Sequence, residues 1–539
     1  MPADLDPRGR GRRRRVRRLG ALGALAALLA GSAAALAAPG AALPAAAAPP
    51  IVTLPAAAPP IAALPAASTP AATPQRTALA VVVPLSAPAR TTGLIPAEQL
   101  AALTAPGGGD LTRRLAAVTG TEATLAVDPL IAASAAALGE AAPASATAWL
   151  AALDASAAPR IDLAPADADP ALLTAAGAPL PELELAWPAT AGTTADSLAA
   201  FAAANARTIL LPDADLTARS DPGSAAATVN GIPVLALDAA ASAAVENAAL
   251  HPGADAIAAA RAAILSPGTR SSVVVALDRT GEQLPGLRQL LAALTADPAI
   301  ELVGLDELAA SATPTVSPSG AGAATAALGG ASAPTERSGA LRPVVAAEAA
   351  DAAFAAITAN PDAIRDDRRL RTEALASAAW LGDPGWQAAL DEAVSNSSAL
   401  RAGVRVAGAD SLFLADRSSI PVSIANDLDQ PVTVVVTARS SAGRLDIDST
   451  PITVEVPAAA RASVEFPATA VSNGNVEVTV TLTATDGTPI GAPAISTVNV
   501  QAGWETPIVA GAAGVLLVVI VVGVVRTVRR VRRARAGAR

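Results

Sequence analysis

Between residues 77 and 311 short apolar runs recur along the chain. They are TALAVVVPL (77–85), ATLAVDP (123–129), RIDLAP (160–165), ELELAWP (182–188), TILLP (208–212), PVLALD (233–238), SSVVVALD (271–278) and IELVGL (300–305). Ala/Leu-rich segments separate most of them, as at 108–119, 144–155, 194–206, 252–265 and 284–296. Strand-like runs alternating with helix-like segments predict parallel βαβ units. Eight units over 77–311 suit a parallel (β/α) barrel-like domain, with a doubly wound open sheet as the alternative. From Gly403 the hydrophobic period becomes two, in SIPVSIAND, PVTVVVTARS, RASVEFPA, NVEVTVTLTATDG and ISTVNVQAG. That alternation over 403–503 predicts an Ig-like β-sandwich, without the Cys…Trp…Cys signature of an antibody domain.

The segment 340–402 between these regions reads as a short helical domain. Asn360-Pro361-Asp362 and Asp383-Pro384 are helix starts, and Asp367–Arg371 and Arg369–Glu373 are i,i+4 pairs. Residues 312–339 form a Ser/Pro/Gly/Ala linker, and 38–76 an Ala/Pro-rich disordered spacer. Trp380 and Trp386 are expected to pack a corner between helices. Asn426 and Asp429 are expected to shape a turn between strands.

Both ends carry membrane signals. Eight Arg between Arg8 and Arg18 precede an apolar run, and Ala35-Leu36-Ala37 fits a small-residue cleavage site. Residues 1–37 therefore read as a signal peptide, with an uncleaved anchor as the alternative. Pro507–Val525 is 19 residues without a charge, about 28 Å as a helix and close to the ~30 Å hydrocarbon core. Trp504 precedes it and seven Arg follow in 526–539. The expectation is a single-pass transmembrane helix in the cell membrane, with the C-terminus cytoplasmic and the bulk of the chain extracytoplasmic. The basic tail stops transfer and attracts anionic lipid.

Composition narrows the chemistry. All but two of the 47 acidic residues lie between the two Arg blocks, so the body is acidic and nucleic acid is not an expected partner. Cysteine is absent, which removes disulfides, thiolate catalysis and Cys-ligated zinc. The single histidine, His251, leaves no His pair for a deacetylase-type metal site, and no G-x-S-x-G elbow accompanies it. LPDADLTARSDPG, counted from Asp213, has Ala218 and Ser224 where an EF-hand needs Gly and Glu. No P-loop or dinucleotide fingerprint is present, so neither a metal nor a cofactor is expected.

In a parallel barrel the active site lies at the C-terminal strand ends. Asp128, Asp167, Asp213, Asp238, Asp278 and Asp306 fall near such ends, and Trp187 at another. Acids beside an aromatic platform are what a carbohydrate site needs. Asp128 and Asp278 are the first candidates for catalysis. Glu184, read as mid-strand and pointing inward, is a third. Trp187, Asp167, Asp213 and Asp238 are candidates for ligand binding. The competing reading is capping, because a strand end is also a helix start. Asp suits the N-cap and Pro the first helical position, as in Asp128-Pro129. Capping is the preferred reading of Asp128, and Asp238 and Asp306 read the same way.

Several stretches carry a family resemblance: PLSAPARTTGLIPAEQLAALTAPGGGDLTRRLAAVTG (84–120), LAVDPLIAASAAALGEAAPASATAWLAAL (125–153), DAD (167–169), LAWPAT (185–190), RTEALASAAWLGD (371–383), IPVSIANDLDQPVTVVV (420–436) and AGWET (502–506). They resemble uncharacterised actinobacterial envelope proteins that carry a domain of unknown function and are commonly encoded beside a lipid II flippase homologue. The resemblance implies an exported, C-terminally anchored protein linked to cell-wall assembly, and supplies no catalytic residues. The expected function is that of a non-enzymatic envelope protein binding a wall glycan, a precursor or a membrane protein of the lipid II pathway. The alternative is a carbohydrate-active enzyme using carboxylates at the barrel mouth.

Overall fold

The computed structural model describes residues 76–266, 268, 270–279, 283–312, 324–329, 335–407, 411–413, 417–500 and 505–536. The expected signal peptide and nearly all of the spacer lie outside them, as does Trp504. The chain is a mixed α/β protein with one large, mainly parallel sheet, two mainly antiparallel sheets and a C-terminal apolar helix.

The large sheet contains β1 (Thr77–Leu85), β2 (Thr124–Val127), β3 (Arg160–Asp162), β4 (Leu185–Ala186) and β5 (Thr208–Pro212). After the short β6 (Leu216–Thr217) come β7 (Ala226–Val229), β8 (Ile232–Leu237), β9 (Ser272–Ala276) and β10 (Ile300–Leu302). All eight apolar runs of the sequence are strands in it. The ladder runs β3-β2-β1-β9-β8-β5-β4; β10 pairs with the start of β1, and β7 pairs antiparallel with β8. Among the described residues no ladder joins β3 to β4.

β1 is buried along its whole length, as a central strand covered on both faces must be. Its alternate residues serve two cores. Ala80 and Val82 face a cluster that also takes Ala126, Ile161, Leu185, Leu210, Leu235 and Val274, so all seven strands of the ladder contribute to one interior, joined by Ala226 of β7. Val303, Leu305 and Leu308 close that interior, the last two from a helix, Leu305–Ala312. Leu79, Val81, Val83 and Leu85 face outward against helices.

Those helices are α1 (Ala97–Leu103), α2 (Asp110–Val118), α3 (Leu130–Leu138), α4 (Ala144–Asp154), α7 (Ala239–Leu250), α8 (Ala254–Leu265) and α9 (Leu287–Thr295); α5 (Pro170–Ala176) and α6 (Ala195–Ala203) pack elsewhere, and α10 is the closing helix Leu305–Ala312. Three more follow: α11 (Thr335–Phe354), α12 (Pro361–Leu375) and α13 (Trp386–Ala402). Leu341, Val344, Leu375, Trp380 and Leu390 of this helical stretch share a core with Leu172, Leu198 and Phe201 of α5 and α6. The stretch is thus an added layer on the sheet. Part of the expected linker is also tied down: β11 (Ala327–Leu328) pairs antiparallel with β6. Asp351, fully buried, accepts from Ser397 at 2.7 Å and pairs with Arg368 and Arg401, which clamps α11 to α12 and α13.

Beyond Gly403 lie β12 (Val404–Ala407), β13 (Ser411–Phe413), β14 (Arg417–Asn426), β15 (Val432–Ser440), β16 (Leu445–Ile447), β17 (Ile452–Val456), β18 (Ala460–Ala470), β19 (Gly474–Thr483) and β20 (Pro489–Val500). They form a four-stranded sheet, β12-β14-β18-β16, and a five-stranded sheet, β13-β20-β19-β15-β17. Burial alternates residue by residue along β18 and β19, and the inward residues of both sheets make one core around Phe466. Asn426 is buried at the end of β14. Its amide donates to Gln430 O at 2.9 Å and Pro457 O at 2.9 Å, and its carbonyl accepts from Leu428 N at 3.0 Å. It therefore sets the turn into β15. The last helix, α14 (Glu505–Ala536), contains a stretch long and apolar enough to cross a membrane, Val509–Arg533, with mean hydropathy 2.5 and none of it buried.

Truncating Phe466 to Ala is expected to cost about 3–5 kcal/mol, whereas Ile495→Ser, at a position 68% exposed, is expected to stay within about 0.5 kcal/mol. Urea unfolding of the full chain checks the contrast.

Candidate functional site: a closed ion cluster at the strand ends

Four charged side chains and a Trp converge where β1, β2, β3, β4 and β9 end. Each sits one to five residues past its strand: Arg90, Asp128, Asp167, Trp187 and Arg279. Asp128 is fully buried. One carboxylate oxygen accepts from Leu130 N at 2.9 Å and Ala166 N at 3.0 Å, and the other lies 3.6 Å from Arg90 Nη2. The Leu130 bond is the expected helix-start contact. The other two partners tie the start of α3 to the loops after β1 and β3.

Asp167 follows a turn in which Ala166 and Asp167 both have positive φ, 61° and 52°, a conformation costly for residues with a Cβ. The turn aims the Asp167 carboxylate at Arg279 Nη1, 2.9 Å away. The same nitrogen donates to Trp187 O at 3.1 Å, and the guanidinium lies over the Trp187 ring, 4.1 Å from its centroid. Asp169 accepts from Ala171 N at 2.9 Å and Leu172 N at 3.3 Å, capping α5. Its own N–H donates to Ala376 O at 2.9 Å, just past α12.

α12 lies over this cluster. Its Leu370 and Ala374 pack on Leu130 and Ala166. Gly93, in the loop after β1, runs so close to α12 that a Cβ there would sit 2.4 Å from Leu370 Cβ. Glu373 is buried and takes Arg369 Nη1 at 2.9 Å. Burial pushes the Asp167 carboxyl up to about 7; Arg279 opposes the shift and the Asp128 charge adds to it. Burial likewise pushes Glu373 up to about 7, against the pull of Arg369 and with a push from Glu348 and Asp128. Asp128 and Asp169 are also raised by burial, against Arg90 and Arg279 respectively.

The other predicted residues scatter. Glu184 does not point inward from mid-strand: it precedes β4, accepts from Asp162 N at 3.1 Å and pairs with Arg207 at 3.2 Å. It is a rim staple across the unpaired edges of β3 and β4. Trp187 offers no open platform, because it is 5% exposed and Arg279 covers its ring. Asp238 caps α7 through Ala241 N at 2.8 Å and pairs with Arg270. With Asp213, Arg219 and Ser272 it lines a separate cavity of about 90 Å³. Asp278 is half-buried after β9, and its carbonyl accepts from Arg114. Asp306 lies inside the first turn of α10, beside the starts of β5 and β8, because β10 pairs with the beginning of β1. Among the described residues no group of acids or His could hold a metal ion.

Sequence reasoning missed Arg90, Arg279 and Asp169, and read Glu373 as the i,i+4 partner of Arg369, which it is, but not as part of the cluster. Asp169-Pro170 repeats the Asp128-Pro129 pattern and was readable as a second cap. Arg90 and Arg279 stand just past strand ends, as their acids do, but only the fold pairs them.

A family model described as a family of unknown function, DUF6049, matches residues 62–536. The chain belongs to this family of uncharacterised proteins. No curated protein matches it. Solved structures show faint likenesses. A C-terminal part of Escherichia coli alpha-2-macroglobulin is 23% identical over 18% of this chain and 16% of that one, with a TM-score of 0.16. WR4, a Caenorhabditis elegans MSP family member, is 11% identical over 18% of this chain and 98% of that one, at 0.15. The Escherichia coli chaperone DraB is 9% identical over 19% and 55%, also at 0.15. Likenesses this faint carry no argument about fold or function.

Two outcomes follow from the cluster. Arg279→Leu strands Asp167 in a dry interior and is expected to cost about 3–5 kcal/mol, part of which Arg279→Leu/Asp167→Leu restores; urea titrations of the three chains read this. Asp167 and Glu373 have folded pKa values near 7, above ordinary unfolded values of about 4. Their contribution is complete below about pH 4 and is lost as pH rises through about 7. Stability should therefore fall between pH 5 and pH 7 and level off above, and Asp167→Asn should flatten the fall.

Proposed function

We propose that this chain is a non-enzymatic, membrane-anchored envelope protein. Its folded body stands outside the cell and binds a wall glycan, a wall precursor or a membrane protein of the lipid II pathway. One observation carries the reading: the buried carboxylates at the strand ends are paired inside the fold, Asp128 with main-chain amides and the Arg90 charge and Asp167 with Arg279, beneath α12, although one oxygen of each accepts no hydrogen bond. A glycosidase needs a carboxyl pair that reaches a sugar. Here Asp128, Asp167 and Asp169 are 0–2% exposed, so the chemistry of the carbohydrate-active alternative has no open acid pair among them. The raised Asp167 carboxyl suits a structural ion pair as well as a general acid.

The large sheet is read as a (β/α) barrel left open between β3 and β4, since the seven strands of its ladder follow in chain order and share one interior. The two following sheets are read as an Ig-like sandwich, from their shared core and alternating strands. α14 is read as the anchor, with its arginines in the cytoplasm by the positive-inside rule. The Ala35-Leu36-Ala37 signal and the actinobacterial, flippase-linked setting belong to this reading and rest on the sequence.

Protease added to intact protoplasts is expected to remove the body, while a tag placed after Arg539 is protected; digestion of the tag alone would reverse the topology. Photo-crosslinking of the full chain in intact cells is expected to capture a wall saccharide or a membrane protein. Cleavage of a wall polysaccharide by the purified full chain, abolished in a folded Asp167→Asn variant, would replace this reading with the enzymatic one.

A further inference from the structure

Three carboxylate oxygens buried beneath α12 accept no hydrogen bond: Oδ2 of Asp128, Oδ2 of Asp167 and Oε2 of Glu373. A buried oxygen without a donor disfavours the ionised carboxyl and favours the protonated one. The fold meets this need unequally. Asp169 takes two main-chain amides, Asp128 takes two amides and the charge of Arg90, and Asp167 takes the buried Arg279. Glu373 is matched by Arg369, whose side chain is 43% exposed. Glu348 faces it from α11 and Asp128 from the strand ends, both with like charge. Glu348 itself is bonded to Thr372, and the neighbouring Asp351 is matched by Arg368 and by Arg401 of α13. Burial and these acids hold the Glu373 carboxyl at about 7 against Arg369.

α12 is seated by one turn. Its buried residues are Thr372, Glu373, Ala374 and Leu375, and none from Pro361 to Arg371 is buried. Leu375 belongs to another core, with Leu172 and Phe201, and its carbonyl accepts from Trp386 Nε1 at 2.8 Å. Leu370 and Ala374, on Leu130 and Ala166, make the apolar seal over the strand ends. That seal carries an acid in its middle. We propose that α12 is a proton-controlled lid: it closes over the strand ends while Glu373 is neutral, and swings outward about Leu375 when Glu373 ionises and takes water. The swing breaks the Arg368–Asp351 pair, and Asp351 keeps Ser397 and Arg401 as partners. The closed state holds the Glu373 proton up to about pH 7, and a hydrated Glu only to about pH 4.3. Opening therefore becomes easier as pH rises between these values and levels off above the higher one. Beneath the lid lie the C-terminal ends of parallel strands, the face that carries ligands in barrels and open sheets alike. The lid governs access to that face. The inference rests on the fold and is independent of the membrane reading.

The chain has no cysteine, so single-cysteine variants of the full chain in detergent read the lid directly. Leu130→Cys places a thiol beneath the seal, and Ala132→Cys, exposed on the same helix, corrects for the titration of the thiol itself. The rate of methanethiosulfonate labelling of Leu130→Cys relative to Ala132→Cys is expected to rise more than about tenfold between pH 5 and pH 7 and to level off above about pH 8. Leu130→Cys/Glu373→Gln is expected to give a low ratio that pH does not change. Leu130→Cys/Arg369→Gln is expected to go on rising to higher pH, because Glu373 then lacks its opposing charge. Leu291→Cys, fully buried in the core on the other side of the sheet, is expected to stay protected throughout. A ratio for Leu130→Cys that ignores pH, or a rise undiminished by Glu373→Gln, overturns the inference. Labelling of Leu291→Cys in step with Leu130→Cys also overturns it, because the whole sheet then unfolds and no lid moves.

Discussion

The molecule depends on keeping several charges dry at the ends of its parallel strands. Asp128, Asp167, Asp169 and Glu373 are buried there with Arg90 and Arg279. An uncompensated buried carboxylate costs several kcal/mol, so each needs a partner fixed to within a few tenths of an ångström. The fold supplies these from different strand ends: Arg90 after β1 for Asp128 after β2, and Arg279 after β9 for Asp167 after β3. Each contact requires two loops to hold their positions together. The pairs set the geometry of the strand ends far more tightly than the Ala-rich apolar contacts around them could.

α12 completes this arrangement. Leu370 and Ala374 seal the cluster, and Glu373 adds another acid to it. The positions of α11 and α13 follow, because Asp351 joins Arg368 of α12 to Arg401 of α13. The helical stretch that looks like a separate domain in sequence is therefore the lid of the sheet. Thr358 in turn bridges to Val432, so the same stretch meets the start of β15.

The parts of this structure that follow from local pattern were legible. Eight apolar runs became strands because a strand covered on both faces must be apolar throughout, as β1 is. The period of two after Gly403 became two sheets with one core, because only alternate residues reach it. Asp128-Pro129 and Asp238 read as helix starts because a cap is a contact within three residues. What was not legible depends on pairing across the chain. Arg279 and Asp167 are 112 positions apart, and neither carries a local mark of the other. Glu184 read as an inward acid because a long apolar run suggested a longer strand; the strand is only Leu185–Ala186, and one residue of shift turns a side chain to the other face. Trp187 was placed correctly at a strand end, but its role was set by the guanidinium that covers it.

The same cluster bears on why a strained turn persists at Ala166 and Asp167. Positive φ at two residues with side chains is unfavourable unless the surroundings over-determine it. Here they do: Ala166 N donates to Asp128, Asp167 pairs with Arg279, and Ala166 is packed under α12. Strain of this kind often marks a reactive site. In this fold it has a sufficient structural cause, because the turn touches both ion pairs and the lid at once. A relaxed turn would release Asp167 from Arg279 and leave its carboxyl group buried without that partner, a larger cost than the strain itself. The turn is held by the pairs, and the pairs are aimed by the turn.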